Sequence, residues 1–369
     1  MPLFRARRSS PRPPAGQVGH AAADTRYVTL DGMRGLAALA VALFHFNISL
    51  MPHGYLAVDF FFALSGFVLW RSYQPRWREG LGTRAFLARR LIRLYPLYAL
   101  GLLLGAGYEV WRVVSGSRTG LDLETIALSL PFNALFMPSP FTIPLFPMNV
   151  PAWSLFFEVV ANIALILVLF RLPLWLIAAI AIACGAGLAP IVLARDAANV
   201  GAIWGETGIG LLRTGFSFGL GLVLGGLSQR SHRPRGAVGM LCLGAIVFAL
   251  YGIGFEPRGW YDLFVILLIS PLLLFVGTRF EPSRLFAPLA AFAGDVSYAL
   301  YAVHWPFIEP YRALGRHIGL DGVPMAAIFL GSMLALAWLV ARFFDEPLRT
   351  LATSALRTRA ATARSLARA

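Results

Sequence analysis

Long apolar runs, separated by short polar segments rich in Arg, Gly and Pro, set the character of this chain. At about 20 residues per membrane crossing, the runs at 32–51, 54–71, 91–108, 152–170, 173–194, 207–228, 237–255, 260–277, 286–308 and 323–343 predict about ten transmembrane helices. Gly54 to Trp70 is short for a span, the ninth run carries Asp295 and His304, and 122–137 reads as a further short or re-entrant helix. The predicted fold is all-α: a polytopic integral membrane protein with a membrane domain over 30–348. Residues 1–29 are basic and rich in Pro, Ser and Ala, with no apolar run before Leu30, and are expected to form a disordered cytoplasmic arm and not a cleaved signal. The Arg- and Ala-rich stretch 349–369 is expected to be a cytoplasmic tail, amphipathic or disordered, with no soluble esterase-like domain behind it.

Composition agrees with the pattern. A chain that is 58% hydrophobic and only 14% charged is too apolar for one soluble domain. Every basic side chain apart from histidine is arginine. With the N-terminus inside, Arg5, Arg7, Arg8, Arg12, Arg26, the cluster Arg71 to Arg90, Arg230, Arg233, Arg235, Arg279, Arg284 and the tail from Arg349 to Arg368 all fall on the cytoplasmic side. The other side keeps Arg112, Arg118, Arg195, Arg258, Arg312 and Arg316, offset by nine carboxylates. This asymmetry obeys the positive-inside rule, and an even span count leaves both termini cytoplasmic. The net charge of +14 is therefore topological, and it calls for membrane lipids and no nucleic acid as partner. Cys184 and Cys242 lie far apart in apolar stretches, and neither they nor the six histidines show metal-ligand spacing.

Ionisable residues inside hydrocarbon are costly and usually mark a pathway or a reaction. Arg34 and His45 are eleven residues apart, which returns them to nearly one helix face with about 16 Å of rise between them. On the predicted topology His45, Asp59, Glu158, His304 and Arg213 converge in the outer half of the bundle. Arg34, Arg89, Arg90 and Arg93 form a cytoplasmic group, in which Arg90 and Arg93 are one turn apart and present two guanidinium forks to one anion such as a phosphate. A basic anion site inside, histidines and carboxylates outside and a stripe between them suit transfer of an activated group from a phosphate-bearing donor to an acceptor beyond the membrane. A neutral imidazole, of ordinary pKa about 6.5, is a suitable general base when placed beside a carboxylate. His45 with Asp59 or Glu158 is the expected pair.

The same residues carry a family resemblance. Leu30-Asp31-Gly32-Met33-Arg34-Gly35 with His45, Val58-Asp59-Phe-Phe-Phe with Ser65-Gly66-Phe67, Arg90-x-x-Arg93 with Tyr95-Pro96, Trp153-Ser154-Leu-x-x-Glu158, and Ser297-Tyr298-x-x-Tyr301-x-x-His304-x-Pro306 occur in the expected order. Over about Tyr27 to Arg349 the chain resembles the acyltransferase-3 family of bacterial integral membrane O-acyltransferases, which modify O-antigen, exopolysaccharide, peptidoglycan, lipid-linked sugars and some antibiotics. The resemblance implies that His45 is catalytic with Arg34 as an essential companion. It also implies that Arg90 and Arg93 engage an acyl-CoA donor from the cytoplasm. Asp59, Glu158 and His304 complete the candidate catalytic set, with no metal. Two departures stand out: Ala57 precedes Val58-Asp59 where the family has Gly, and the family's Glu-x-Pro appears as Asp345-Glu346-Pro347.

The expected activity is transfer of an acyl group, foremost acetyl from acetyl-CoA, to a hydroxyl of a cell-surface or lipid-linked carbohydrate at a bacterial plasma (inner) membrane. His45 would act as general base or as transient acyl carrier. A transporter exporting an acylated or charged solute is the alternative that shares the intramembrane charges and the Gly-rich stretch Gly215 to Gly226. A non-catalytic assembly partner would leave Arg34 and His45 no reason to share a face. Acceptor choice is expected to rest on the outer segment Gly107 to Val150, where Trp111, Phe132, Phe136, Phe141 and Phe146 either stack sugars or lie at the interface.

Overall fold

A computed structural model describes residues 26–117, 119–228, 236–252 and 254–366. Most of the predicted N-terminal arm, with Arg118, Arg230, Arg233, Arg235 and Arg368, lies outside the described residues.

The described residues form helices joined by irregular connections, with no strand and one isolated antiparallel bridge between Pro144 and Ile203. In order it forms α1 (Val28–Phe46), α2 (Ala57–Arg78), α3 (Thr83–Val114), α4 (Leu123–Ala134), α5 (Ala152–Leu167), α6 (Leu174–Arg195), α7 (Thr207–Leu227) and α8 (Gly236–Tyr251). Next, α9 (Arg258–Phe264) and α10 (Ser270–Gly277) join through a π-turn into one rod, and α11 (Ala287–Val303) and α12 (Ile308–Ile318) follow. Last, α13 (Gly322–Val340) and α14 (Glu346–Leu366) are likewise continuous through a π-turn at Ala341–Asp345. All ten predicted runs become helix. Among the described residues eight helical segments are long and apolar enough to cross a membrane, while α8 and α11 are shorter apolar helices. Gly54–Arg78, which looked short from its apolar part alone, runs for 25 residues because the helix continues through its arginines. The tail is helical to Leu366.

Small residues set the helix pairings, as expected where close backbone approach is the main source of packing energy in lipid. A Cβ on Gly35 would fall 2.4 Å from the Ala293 Cβ, and one on Gly294 would fall 2.5 Å from the Asp31 Cβ, so α1 and α11 lie nearly backbone to backbone. Gly66 and Gly221 do the same for α2 and α7, where an added Cβ would fall 2.2 and 2.0 Å from the Phe218 and Ala63 carbonyl oxygens. No side chain larger than hydrogen fits there.

One connection decides the position of the site. Asp122 caps α4 by accepting from the Thr125 amide at 2.7 Å, which also holds its carboxyl below the usual range. α4 then folds back along α3, and the Tyr95 hydroxyl donates to the Ala134 carbonyl at 2.9 Å while that of Tyr98 donates to the Asn133 carbonyl. The irregular stretch 135–151 turns on buried polar groups: Asn133 Nδ2 donates to the Met137 and Leu145 carbonyls, and the Ser129 and Ser139 hydroxyls pair at 2.7 Å. Phe136 stacks on Tyr98 with ring centroids 3.7 Å apart. The expected short helix at 122–137 is therefore α4. Its return brings the start of α5 to the level of Gly101, where Asn149 Nδ2 donates to the Ala302 carbonyl at 3.0 Å.

Candidate functional site

Gly294, Ser297 and Tyr301 of α11, with His304 that caps its end, fall at i, i+3, i+7 and i+10, one face of a helix. That face meets the Arg34 to His45 face of α1. At one end Arg34 Nε donates to Ser297 Oγ at 2.9 Å and Nη2 donates to the Gly294 carbonyl at 2.7 Å, with Asp31 as its counterion at 3.0 Å. Arg26 in turn clamps Asp31 at 2.5 Å and Asp295 at 2.7 Å. At the other end His45 Nδ1 lies 2.9 Å from His304 Nε2. The two rings are 14° from parallel with centroids 5.2 Å apart, the arrangement of imidazoles joined edge to edge. Trp305 packs edge-on against His45 at 5.2 Å. Arg312 of α12 closes the end of α1, donating to the His45 carbonyl at 2.8 Å and the Phe46 carbonyl at 2.7 Å, groups that a helix terminus leaves unpaired.

A cavity of about 160 Å³ lies between α1, α2, α3, α5 and α11. Arg34, Arg90 and Arg93 line it beside Ser65, Glu158 and Tyr298. Glu158 Oε1 accepts from Arg90 Nη2 at 2.5 Å and from Ser65 Oγ at 2.8 Å, and Arg90 Nε is buried without a partner. The Arg93 guanidinium sits 5.8 Å from the centre of the Tyr298 ring. A second cavity, of about 480 Å³, shares Arg34, Leu64 and Val68 with the first and extends it past Arg26 and Arg71. Toward the histidines the first cavity is closed by Ser154 and Tyr301. Their hydroxyls pair at 2.6 Å, and the Tyr301 ring centre is 6.0 Å from that of His304. The site thus has an arginine end able to hold an anionic ligand and a histidine end able to accept and return a proton, with a hydroxyl pair between them.

Two expectations are corrected. The five ionisable groups do not converge on one centre, and neither carboxylate meets His45. Asp59 is fully buried with Arg213, which reaches both its oxygens, at 3.2 Å through Nε and 2.5 Å through Nη2, while Ser217 donates at 3.3 Å. Arg213 also donates to the Val200 and Tyr55 carbonyls and lies over Trp153. An uncompensated charge there would be too costly, so the fork takes both carboxylate oxygens. Glu158 belongs to the arginine end, because α5 starts at the level of Gly101 and seven residues carry it about 10 Å toward Arg90. Arg90 and Arg93 both face the cavity, although Arg90 is already paired.

Of the outer aromatic residues, Phe136 and Phe146 are buried and Phe132 packs on Phe141, which leaves Trp111 and Phe141 exposed. Of the neighbouring carboxylates near the chain end, Asp345 faces inward, paired with Arg349 at 3.0 Å, and Glu346 pairs with Arg342 at the surface. Sequence reasoning missed the Ser154–Tyr301 pair, the cap by Arg312 and a buried His53–Asp262 contact of 2.8 Å that also engages the Tyr55 hydroxyl and the Ala198 amide. Only the first had a signal, since both residues stand within the motifs quoted for the resemblance.

The acyltransferase domain family, Acyl_transf_3, matches residues 27–342. The exopolysaccharide production protein ExoZ of Rhizobium meliloti is 27% identical over 305 residues, 79% of this chain and 88% of that protein. Protein 2 in the picA locus of Rhizobium radiobacter is 43% identical over 152 residues, 37% of this chain and 79% of that protein. The peptidoglycan O-acetyltransferase OatA of Listeria monocytogenes is 34% identical over 89 residues, 23% of this chain but only 14% of that protein. No solved structure is a significant match.

Proposed function

The chain belongs to the acyltransferase-3 family, and from that premise we propose that it moves an acetyl group from cytoplasmic acetyl-CoA to a hydroxyl of a cell-surface or lipid-linked carbohydrate at the inner membrane of a bacterium. The observation that carries this reading is the single face formed by α11 and its cap His304, which holds Arg34 through Ser297 and Gly294 at one end and His45 through His304 at the other. Relatives named for peptidoglycan O-acetylation and exopolysaccharide production support a carbohydrate acceptor.

On this reading the donor enters at the arginine end, between Arg26 and Arg71, and Arg34, Arg90 and Arg93 hold its phosphates. Bidentate guanidinium contacts suit a diphosphate better than point charges do. The thioester arm runs along α11 toward His45 and reaches it by parting the Ser154–Tyr301 hydroxyl pair. His45 takes the proton of the acceptor hydroxyl, whose oxygen attacks the thioester carbonyl. The C–S bond breaks, and the CoA thiolate leaves with the proton returned by the imidazolium. If His45 carries the acyl group instead, the kinetics turn ping-pong and labelled acetyl-CoA marks His45. The test is free CoA release by membranes holding wild type or His45→Ala at matched protein level, with an extracytoplasmic glycan supplied. Acetyl-dependent release that disappears in the variant supports the proposal, and equal release from both removes His45 from catalysis. An exporter would move solute without consuming acetyl-CoA.

A further inference from the structure

We infer that His304 is a positioning residue that fixes His45 as its Nδ1–H tautomer and so leaves the His45 lone pair on Nε2, facing away from His304. The inference rests on the reading of His45 as the reacting group. Donors and acceptors around the two rings fix the assignment. His304 Nδ1 lies 2.9 Å from the Tyr301 carbonyl and 3.1 Å from the Leu300 carbonyl. Carbonyl oxygens only accept, so Nδ1 of His304 bears its proton. In a neutral ring Nε2 is then an acceptor. The group facing it at 2.9 Å is His45 Nδ1, which must donate. A neutral His45 has one ring proton, which this contact puts on Nδ1, and its Nε2 is then the free base.

The one alternative is a doubly protonated His304 that donates from both edges. It would place a fully buried cation with no carboxylate in ion-pair reach among the described residues and with the Arg312 guanidinium bound at the neighbouring His45 carbonyl. A buried charge without a partner is the costlier arrangement. The backbone supplies what a carboxylate supplies in a Ser-His-Asp triad, where the third group holds the imidazole in the correct tautomer. Here two main-chain carbonyls orient His304, and His304 orients His45. The proton balance is simple: His45 Nε2 takes the proton of the acceptor hydroxyl, keeps its Nδ1–H···Nε2 bond to His304, and returns the Nε2 proton to the thiolate. His304 keeps its own proton throughout.

The test uses the full-length protein in nanodiscs with 15N-labelled histidine, His45 signals being assigned by their loss in His45→Asn. The expected spectrum has a protonated Nδ1 and an unprotonated Nε2 on His45, and a protonated Nδ1 on His304. A proton on His45 Nε2 with a bare Nδ1 overturns the inference, whether or not the enzyme is active. Kinetics give the second arm. His304→Gln offers a carbonyl oxygen to His45 Nδ1–H and should keep kcat within about tenfold of wild type, whereas His304→Phe, which offers none, should lower kcat about 100-fold or more with the acetyl-CoA KM unchanged. Equal loss in the two variants, with His45→Ala inactive, overturns the positioning role alone. Full turnover in His45→Ala instead overturns the reading beneath it.

Discussion

Individual side chains divide into those that hold the bundle and those that face the cavity. Asp59 and Arg213 hold it: each satisfies the other in full burial, and nothing in their contacts reaches His45. Arg213→Met should cost about 3–5 kcal/mol of stability, because it strands a buried carboxylate. Asp59→Leu with Arg213→Met should recover most of that loss, as a thermal-unfolding series in detergent would read. Arg93 faces the cavity with no hydrogen bond or ion pair to a described residue, its guanidinium lying over Tyr298. Arg93→Ala should raise the KM for acetyl-CoA about tenfold, a loss of roughly 1.4 kcal/mol, and should leave turnover of a phosphate-free acetyl thioester nearly unchanged. A matching loss with the phosphate-free donor would mean that Arg93 acts through packing. Arg34 joins both roles, with one fork spanning Ser297 and Gly294. An Arg34→Lys side chain reaches only one of these partners and should fall well below wild-type activity despite keeping its charge.

At the scale of helices, α1 and α11 are the frame of the site, and their contact depends on Gly32, Gly35 and Gly294. Gly35→Leu should push the two helices apart and break the Arg34 and His45 contacts together. The loss of acetyl-CoA-dependent CoA release should then far exceed the loss of folded protein measured by size-exclusion chromatography. Most of this scale was legible in the sequence: each of the ten apolar runs became helix because run length and burial of backbone polar groups leave little choice in hydrocarbon. The Arg34 to His45 stripe followed from helical periodicity alone. Other features were not legible. The depth of Glu158 depends on how far 135–151 returns before α5 begins, and that distance is set by contacts of Tyr95, Tyr98 and Asn133 across the fold, with no local pattern to announce it. His304 as partner of His45 was equally out of reach, since a nearby carboxylate and a nearby imidazole serve the same chemistry and only geometry separates them.

The whole molecule is a bundle with two chemically different ends. Arginines surround the mouth and floor of one continuous tract, and the histidine pair stands beyond the Ser154–Tyr301 hydroxyls at its far end. This polarity matches the arginine asymmetry of the loops, from which the positive-inside rule predicts that the arginine end faces the cytoplasm. On the proposed function, a single bundle of this kind draws its donor from one compartment and serves an acceptor in the other without carrying either across. The most direct measurement is therefore made with sealed membrane vesicles of defined orientation that contain the acceptor glycan and are supplied with labelled acetyl-CoA from outside. Inside-out vesicles should release CoA into the medium and accumulate labelled glycan within, while sealed right-side-out vesicles should do neither until they are permeabilised. Equal labelling in both sealed orientations, or labelled glycan appearing on the same side as the donor, would contradict transfer through the bundle.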